Sequence, residues 1–403
     1  MTFDFDAPVD RTGTYSLKWD DAGDATPMWV ADMDFQTAPA VREALARRVE
    51  HGVFGYTVVP DKWADAYVGW WHRRHGLTIE HDWLIFATGV VPAISSMVRK
   101  LTTPAENVVI MTPVFNIFFN SILNNGRRVL ESPLRYTRDD ETGVASYEID
   151  WADLEAKLAN PQTSLMILCN PANPAGRIWT REELEHLAEL AWTHHVTVIS
   201  DEIHCDLTDP GVDYVPFASV SEHALMNSVT CLAPTKTFNM AGLQTAAVFA
   251  ADPVLRYKVW RGLNTDEVAE PNAFAMTATI AAFEGGEEWL DELRAYLAGN
   301  KRLVREMVDD YNARPDVVAA DRRVAVTECQ ATYLPFLDCS AITHDTDALC
   351  DWLAREREVA FSPGAEFGGN GHDFLRINTA TQRAKLRDAM ERLLDGLSEY
   401  KER

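Results

Sequence analysis

An amide, a carboxylate and an amine stand in order along this chain, in Asn170-Pro171-Ala172-Asn173-Pro174-Ala175-Gly176, Ser200-Asp201-Glu202-Ile203-His204 and Thr235-Lys236-Thr237-Phe238-Asn239. Each stretch follows or interrupts an apolar run: Leu165 to Cys169, Val196 to Ile199, and Val229 to Leu232. Such runs read as strands of a buried parallel sheet, so their polar ends meet at one sheet edge, where open α/β sheets hold ligands. An amide, a carboxylate and a lysine converging there are what an aldehyde cofactor with a pyridine ring needs. The inferred cofactor is pyridoxal phosphate, with Asn173, Asp201 and Lys236 as its first candidate partners.

From about residue 60 to 285, helical stretches alternate with apolar strands, for example Asp61 to His75 as helix and Leu84 to Ala87 and Val108 to Met111 as strands. This alternation predicts a mostly parallel sheet flanked by helices. Trp63, Tyr67, Trp70 and Trp71 recur at helical spacing, a stripe that packs a core rather than binding a cofactor. Thr180 followed by Glu183 is a capping box at a helix start. Beyond it come a helix near Glu287 to Asn312, strand-like Arg323 to Val326 and Thr332 to Leu337, a helix near Thr346 to Glu356, and a last helix from Gln382. The expected division is residues 1–45 as an arm and part of a small domain, 46–285 as a large cofactor-binding domain, and 286–403 as a small α+β domain.

A chain of 403 residues, 47% hydrophobic, can bury a large core and suits one large and one smaller domain. Its 37 Lys and Arg against 61 Asp and Glu give a net charge of −24, which disfavours a nucleic-acid partner. Met1 to Asp6 lack a basic and apolar leader pattern, and no apolar run approaches the ~18 residues of a membrane span, so a cytoplasmic protein with no membrane partner is expected. Cys169, Cys205, Cys231, Cys329, Cys339 and Cys350 contain no Cys-x-x-Cys pair and read as free thiols. Cys205, next to His204, reads as a small buried residue rather than a nucleophile. His194 and His195, with His186 nearby, read as exposed residues late in a helix, and no metal is expected.

Five segments occur in one order over about 350 positions: Met28-Trp29-Val30-Ala31-Asp32-Met33-Asp34-Phe35, Phe54-Gly55-Tyr56, Asp201-Glu202-Ile203-His204, Lys236-Thr237-Phe238-Asn239-Met240-Ala241-Gly242-Leu243, and Phe374-Leu375-Arg376-Ile377-Asn378. With them the chain resembles the aspartate-aminotransferase-like, fold-type I pyridoxal phosphate enzymes, and within these the MalY/PatB cystathionine β-lyase branch. The resemblance implies an α/β fold with a large and a small domain. It implies that Lys236 bonds covalently to the cofactor and then carries protons at the substrate Cα, while Asp201 keeps the ring nitrogen protonated. Asn173 would bond the phenolic oxygen, although by itself it also reads as a turn residue before Pro174. His204 stands where aminotransferases of this superfamily usually carry tyrosine. Its imidazole either makes a similar hydrogen bond or is a satisfied core histidine.

For the phosphate, Gly89 and the amides of Val90 and Val91 lie at a helix start, where free N–H groups and the dipole favour an anion. Thr235 adds a hydroxyl, and Tyr56 matches a tyrosine that reaches across family dimers. Ala233 and Gln244 depart from the serine and arginine common in aminotransferases, which leaves less fixed charge for the phosphate. Phe115 matches the aromatic that stacks on the ring, where the lyase branch more often has tyrosine; plain core phenylalanine is the other reading. Arg376 would bind the substrate α-carboxylate in a two-pronged pair, and otherwise requires a buried acid.

The implied activity is that of a homodimeric carbon–sulfur β-lyase with shared active sites. Its substrate is an amino acid with sulfur on Cβ, and it releases a thiol, pyruvate and ammonia. The residues alone do not separate elimination from transamination, since both begin at the same carbanion. An aminotransferase of the same fold is one alternative, against which His204, Ala233 and Gln244 count. A regulatory protein that binds pyridoxal phosphate is another, against which the joint presence of Lys236, Asp201, Asn173 and Arg376 counts.

Overall fold

In the computed structural model, which describes residues 2–139 and 144–401, seven strands pair in the order Leu84–Ala87, Ala246–Phe249, Ser228–Leu232, Thr197–Asp201, Thr163–Cys169, Asn107–Thr112 and Arg128–Pro133. Ala246–Phe249 runs antiparallel to both neighbours and every other pair is parallel, so the expected mostly parallel sheet forms. Asn107–Thr112 and Ser228–Leu232 are buried at every residue, as strands covered by helices on both faces must be. In register, Cys169 lies opposite Asp201 and Asp201 opposite Cys231. The chain segments that leave these strand ends therefore emerge side by side.

Helix Asp61–His75 buries Trp63, Tyr67, Trp70 and Trp71 in the core, ends at Gly76 with φ 64°, and carries His72 to His75 in its last turn, where cations suit the dipole. The capping box of Thr180 and Glu183 is present at the start of helix Arg181–Thr193. That helix stops before the two histidines expected inside it. His194 closes it, and His195 has φ 58°, a turn conformation that ends the 3.6-residue repeat.

A second sheet holds six strands in the order Ser362–Pro363, Phe374–Arg376, Phe336–Asp338, Ala325–Thr327, Val144–Glu148 and Arg135–Asp139. Its last two strands come from sequence before residue 285, so the sheet mixes strands from both sides of the expected boundary. Their alternating burial differs from the wholly apolar runs of the first sheet, which is why they join a sheet with one open face. The strand expected from Thr332 is shorter and later, Phe336–Asp338, because Thr332 takes φ 70° and cannot continue a ladder. Among the described residues no helix is long and apolar enough to cross a membrane.

The N-terminal arm is fastened at two places, the first a separate two-stranded sheet. Thr26–Pro27 pairs parallel with Val359–Ala360, and the Asn239 side chain receives the Met33 N–H and donates to the carbonyls of Met33 and Phe35. Within the arm, Lys18 and Asp34 form an ion pair at 3.2 Å with both side chains fully buried, and Arg11 and the Trp19 indole N–H also bond Asp34. Removing one member of a buried pair strands the other charge. Lys18→Met should therefore destabilise the chain by about 3 kcal/mol, while Lys62→Met, which breaks the exposed pair with Glu284, should change stability by less than about 0.5 kcal/mol. Urea unfolding of the two variants measures the contrast.

Candidate active site

Three chain segments leave adjacent strand ends and turn inward. The Asn170 N–H donates to the Asp201 carbonyl at 2.9 Å and the Glu202 N–H to the Cys231 carbonyl at 3.0 Å, which extends the register past the last ladder residues. Gly176 closes the first loop with φ 72°, and a Cβ there would lie 2.9 Å from the Cys329 Cα, so only glycine fits. Pro234 opens the four-residue helix Pro234–Thr237 directly after Ser228–Leu232, which lifts Lys236 out of the strand plane. The Thr237 hydroxyl donates to the buried Asp206 carboxylate at 3.1 Å and anchors that turn from behind.

These segments enclose a cavity of about 290 Å³. Asn173, Asp201, His204, Phe115 and Lys236 form one part of its wall. Gly89, Val90, Val91, Thr235 and Gln244 form another. Helix Val90–Leu101 begins there, with Gly89 as its cap and no capping side chain. Its first internal bond runs from the Ala93 N–H to Gly89 O, and Pro92 has no N–H, so the Val90 and Val91 amides lack helical acceptors. Arg376, on strand Phe374–Arg376, donates to Asn173 Oδ1 at 3.3 Å, Trp29 O at 3.1 Å and Ser362 Oγ at 3.4 Å, with the Phe367 ring 4.7 Å beneath it. No carboxylate pairs with it among the described residues. Tyr56 is not part of this cavity; in the single chain it is fully exposed.

Burial governs the electrostatics. It pushes the Asp201 carboxyl up to about 7 against the opposing Ile203 N–H, at 3.1 Å, and the nearby Lys236. Burial, helped by repulsion from Arg376, brings the Lys236 amine down to about 8. Burial first, then Lys236 and Arg376, hold His204 near 3, so it is neutral. Lys236 Nζ donates to the Ala31 carbonyl at 2.5 Å. Ala31 was legible only as part of a resembling segment, and Tyr333, whose hydroxyl also donates to Ala31 O at 3.0 Å, gave no signal, since a tyrosine in an apolar run reads as core. Cys205 is buried with its thiol pushed well above the ordinary range, unsuited to act as a nucleophile.

The donor set suits a pyridoxal phosphate. His204 Nδ1 is buried at the cavity wall with no hydrogen-bond partner, so the satisfied core histidine is not what is found. Asp201 has no cationic side chain bonded to it among the described residues, so a protonated ring nitrogen would complete its carboxylate. The free amides at Val90 and Val91 line the same cavity at a helix start, a position whose N–H groups and dipole favour an anion.

The aminotransferase class I and II family matches residues 27–393. Over 400 residues the chain is 40% identical to cystathionine beta-lyase PatB of Bacillus subtilis, covering 98% of this chain and 100% of PatB. It is 33% identical over 405 residues to protein MalY of Escherichia coli, covering 98% and 99%. Among solved structures, cystalysin from Treponema denticola, which contains a pyridoxal 5'-phosphate cofactor, superposes with a TM-score of 0.90 at 29% identity, covering 98% of this chain and 99% of cystalysin. The PLP-bound C-S lyase from Staphylococcus hominis gives 0.88 at 28% identity, again covering 98% and 99%.

A lysine amine near 8 reacts at a pH where an ordinary lysine, near 10.4, is almost wholly protonated. In the cofactor-free chain, arylation of Lys236 by fluorodinitrobenzene should reach half its limiting rate near pH 8, read by peptide mass spectrometry. Half-reaction only above about pH 10 would mean that the amine is not held in this environment.

Proposed function

This chain belongs to the aminotransferase class I and II family, in the branch of PatB and MalY, and we propose that it acts there as a pyridoxal phosphate-dependent carbon–sulfur β-lyase. The substrate is an amino acid with sulfur on Cβ, cystathionine or another S-substituted cysteine, and the products are a thiol, pyruvate and ammonia. The observation that carries this reading is Arg376, a buried guanidinium without a carboxylate partner among the described residues, bonded to Asn173 and close enough to Lys236 to depress its amine. A substrate α-carboxylate supplies the missing charge in a two-pronged pair.

When bound, the cofactor takes up the electron pair left at the substrate Cα. Lys236 would anchor it covalently and, as a free amine, would take the substrate Cα proton; loss of the Cβ thiolate and addition of one water then account for the thiol, pyruvate and ammonia. Asp201 would keep the ring nitrogen protonated, and Asn173 and His204 would serve the phenolic oxygen. Phe115 offers a π-face to the ring and no phenol. The Gly89 turn, the Val90 and Val91 amides and the Thr235 hydroxyl would hold the phosphate. We further propose a large domain built on the first sheet, a small one on the second, and a cytoplasmic homodimer in which Tyr56 reaches the other subunit's phosphate. Exposed Val53, Phe54, Val58 and Tyr56 form an apolar run that suits such an interface.

With cystathionine and no keto acid, the holoenzyme should release pyruvate continuously, whereas an aminotransferase would stop after about one turnover per site. Lys236→Ala should cut the rate by several orders of magnitude and remove the absorbance of covalently held cofactor. Absence of pyruvate from cystathionine, cysteine, cystine and S-methylcysteine alike would overturn the lyase reading.

Shared sites predict complementation. Co-refolding Lys236→Ala with Tyr56→Phe should yield hybrid dimers with one site carrying both defects and one carrying neither, so pyruvate release should exceed the mean of the separately refolded parents. A rate equal to that mean, with hybrids present and Tyr56→Phe impaired, would exclude a shared site.

A further inference from the structure

Ala31 O receives two side-chain donors, Lys236 Nζ at 2.5 Å and the Tyr333 hydroxyl at 3.0 Å. Ala31 and Lys236 line the cavity, while Tyr333 stands behind them, fully buried, its ring edge-on to His204 at 6.3 Å. Resting on the role proposed above for Lys236, we infer that Tyr333 is a positioning residue for that lysine. Its hydroxyl fixes the carbonyl on which the free amine rests between proton transfers, and occupies one of that oxygen's two lone pairs.

The surroundings leave Ala31 little freedom to re-aim. On one side Arg376 holds Trp29 O, and Asn378 Nδ2 holds Val30 O and Asp32 O at 2.6 Å each. Tyr333 is itself pinned, because the Thr379 N–H and hydroxyl both donate to its carbonyl, at 2.9 and 3.0 Å. Burial pushes the Tyr333 phenol well above its ordinary value, so it stays a donor. The fully buried Tyr67 hydroxyl has no hydrogen-bond partner, so this fold does not pair every core phenol, and the pairing at Ala31 is a specific feature of the site.

A carbonyl that bonds an ammonium favours the protonated form. A second donor on the same oxygen draws off electron density and weakens that preference. With the hydroxyl removed, Lys236 becomes the sole side-chain donor to Ala31 O, the carbonyl grips the ammonium more firmly, and less neutral amine is available near pH 7. The Tyr333 hydroxyl is not among the hydrogen-bond partners of Arg376, the residue proposed to take the substrate carboxylate.

In the cofactor-free full chain, Tyr333→Phe should move the pH midpoint of Lys236 arylation up by about half to one unit, which is roughly three- to tenfold slower labelling at pH 7. In the holoenzyme kcat at pH 7 should fall by a similar factor and recover at higher pH, with KM within about twofold. Tyr67→Phe should leave the midpoint unmoved. A purely structural role would lower the melting temperature without shifting the midpoint. An unshifted midpoint in a folded Tyr333→Phe chain, or a kcat loss that higher pH does not restore, overturns the inference. If Tyr333→Phe does not fold, Thr379→Val, which releases the Tyr333 carbonyl on one side, should give a smaller upward shift, and no shift there overturns it equally. Retained pyruvate release in Lys236→Ala would instead defeat the functional reading and leave the labelling result standing.

Discussion

Arg376 is buried and Lys236 partly buried close to it, and among the described residues neither has a carboxylate bonded to it. Their hydrogen bonds go to neutral oxygens: Ala31 O for the lysine, and Trp29 O, Asn173 Oδ1 and Ser362 Oγ for the arginine, while Asp32 and Asp201 act on the lysine, and Glu366 on the arginine, only through space. Neutral acceptors compensate a buried cation only in part. That shortfall lowers the amine toward reactivity and leaves the guanidinium short of an anion. Two of the acceptors are backbone carbonyls of the N-terminal arm, so the arm belongs to the site as much as the sheet edge does. The arm is held in turn by the buried Lys18 and Asp34 pair and by Asn239, three residues after Lys236. A change far from the cavity, at Lys18, is thereby linked to the aim of the Ala31 carbonyl.

The remaining titratable groups of the cavity are tuned in the opposite sense. Asp201 near 7 and His204 near 3 both lean toward their neutral forms, because burial penalises their charges. Asp201 needs a cation to become a stable carboxylate, and a ring nitrogen that binds a proton is such a cation. His204 cannot serve as one, since burial, and after it the two neighbouring cations, keep it neutral. It is suited to a hydrogen bond, and its role differs from that of a phenol at the same place, which ionises to an anion instead.

The parts of this arrangement that follow from local sequence were legible. Wholly apolar runs ending in Asn173, Asp201 and Lys236 predicted adjacent strand ends, and the helices Asp61–His75, Glu287–Asn312 and Thr346–Glu356 fall where their periodicity placed them. Arg376 stood out because a guanidinium in an apolar strand demands an explanation. Long-range contacts were not legible. Nothing local marks Arg135–Asp139 and Val144–Glu148 as strands that leave the first sheet for the second, because partner choice depends on which sheet has an open face. Tyr333 and Ala31 carried no chemical signal, since a backbone carbonyl is the same at every residue and only the fold decides which one meets a lysine. The shape of the cavity was equally hidden, although most of its polar wall had been named.

The phosphate end shows how one departure leans on another. Gln244 and Ala233 stand where the resemblance places an arginine charge and a serine hydroxyl, and the donors proposed for the phosphate are the Thr235 hydroxyl and the amides of Val90 and Val91. Helix-end amides bind an anion by dipole, without a full positive charge. In the proposed dimer, Tyr56 adds a donor that the single chain cannot aim at its own cavity, since there the side chain stands in solvent. With fewer fixed charges at home, a larger share of cofactor retention falls to the second subunit. Assembly and cofactor binding are then linked equilibria, and each raises the apparent stability of the other by mass action.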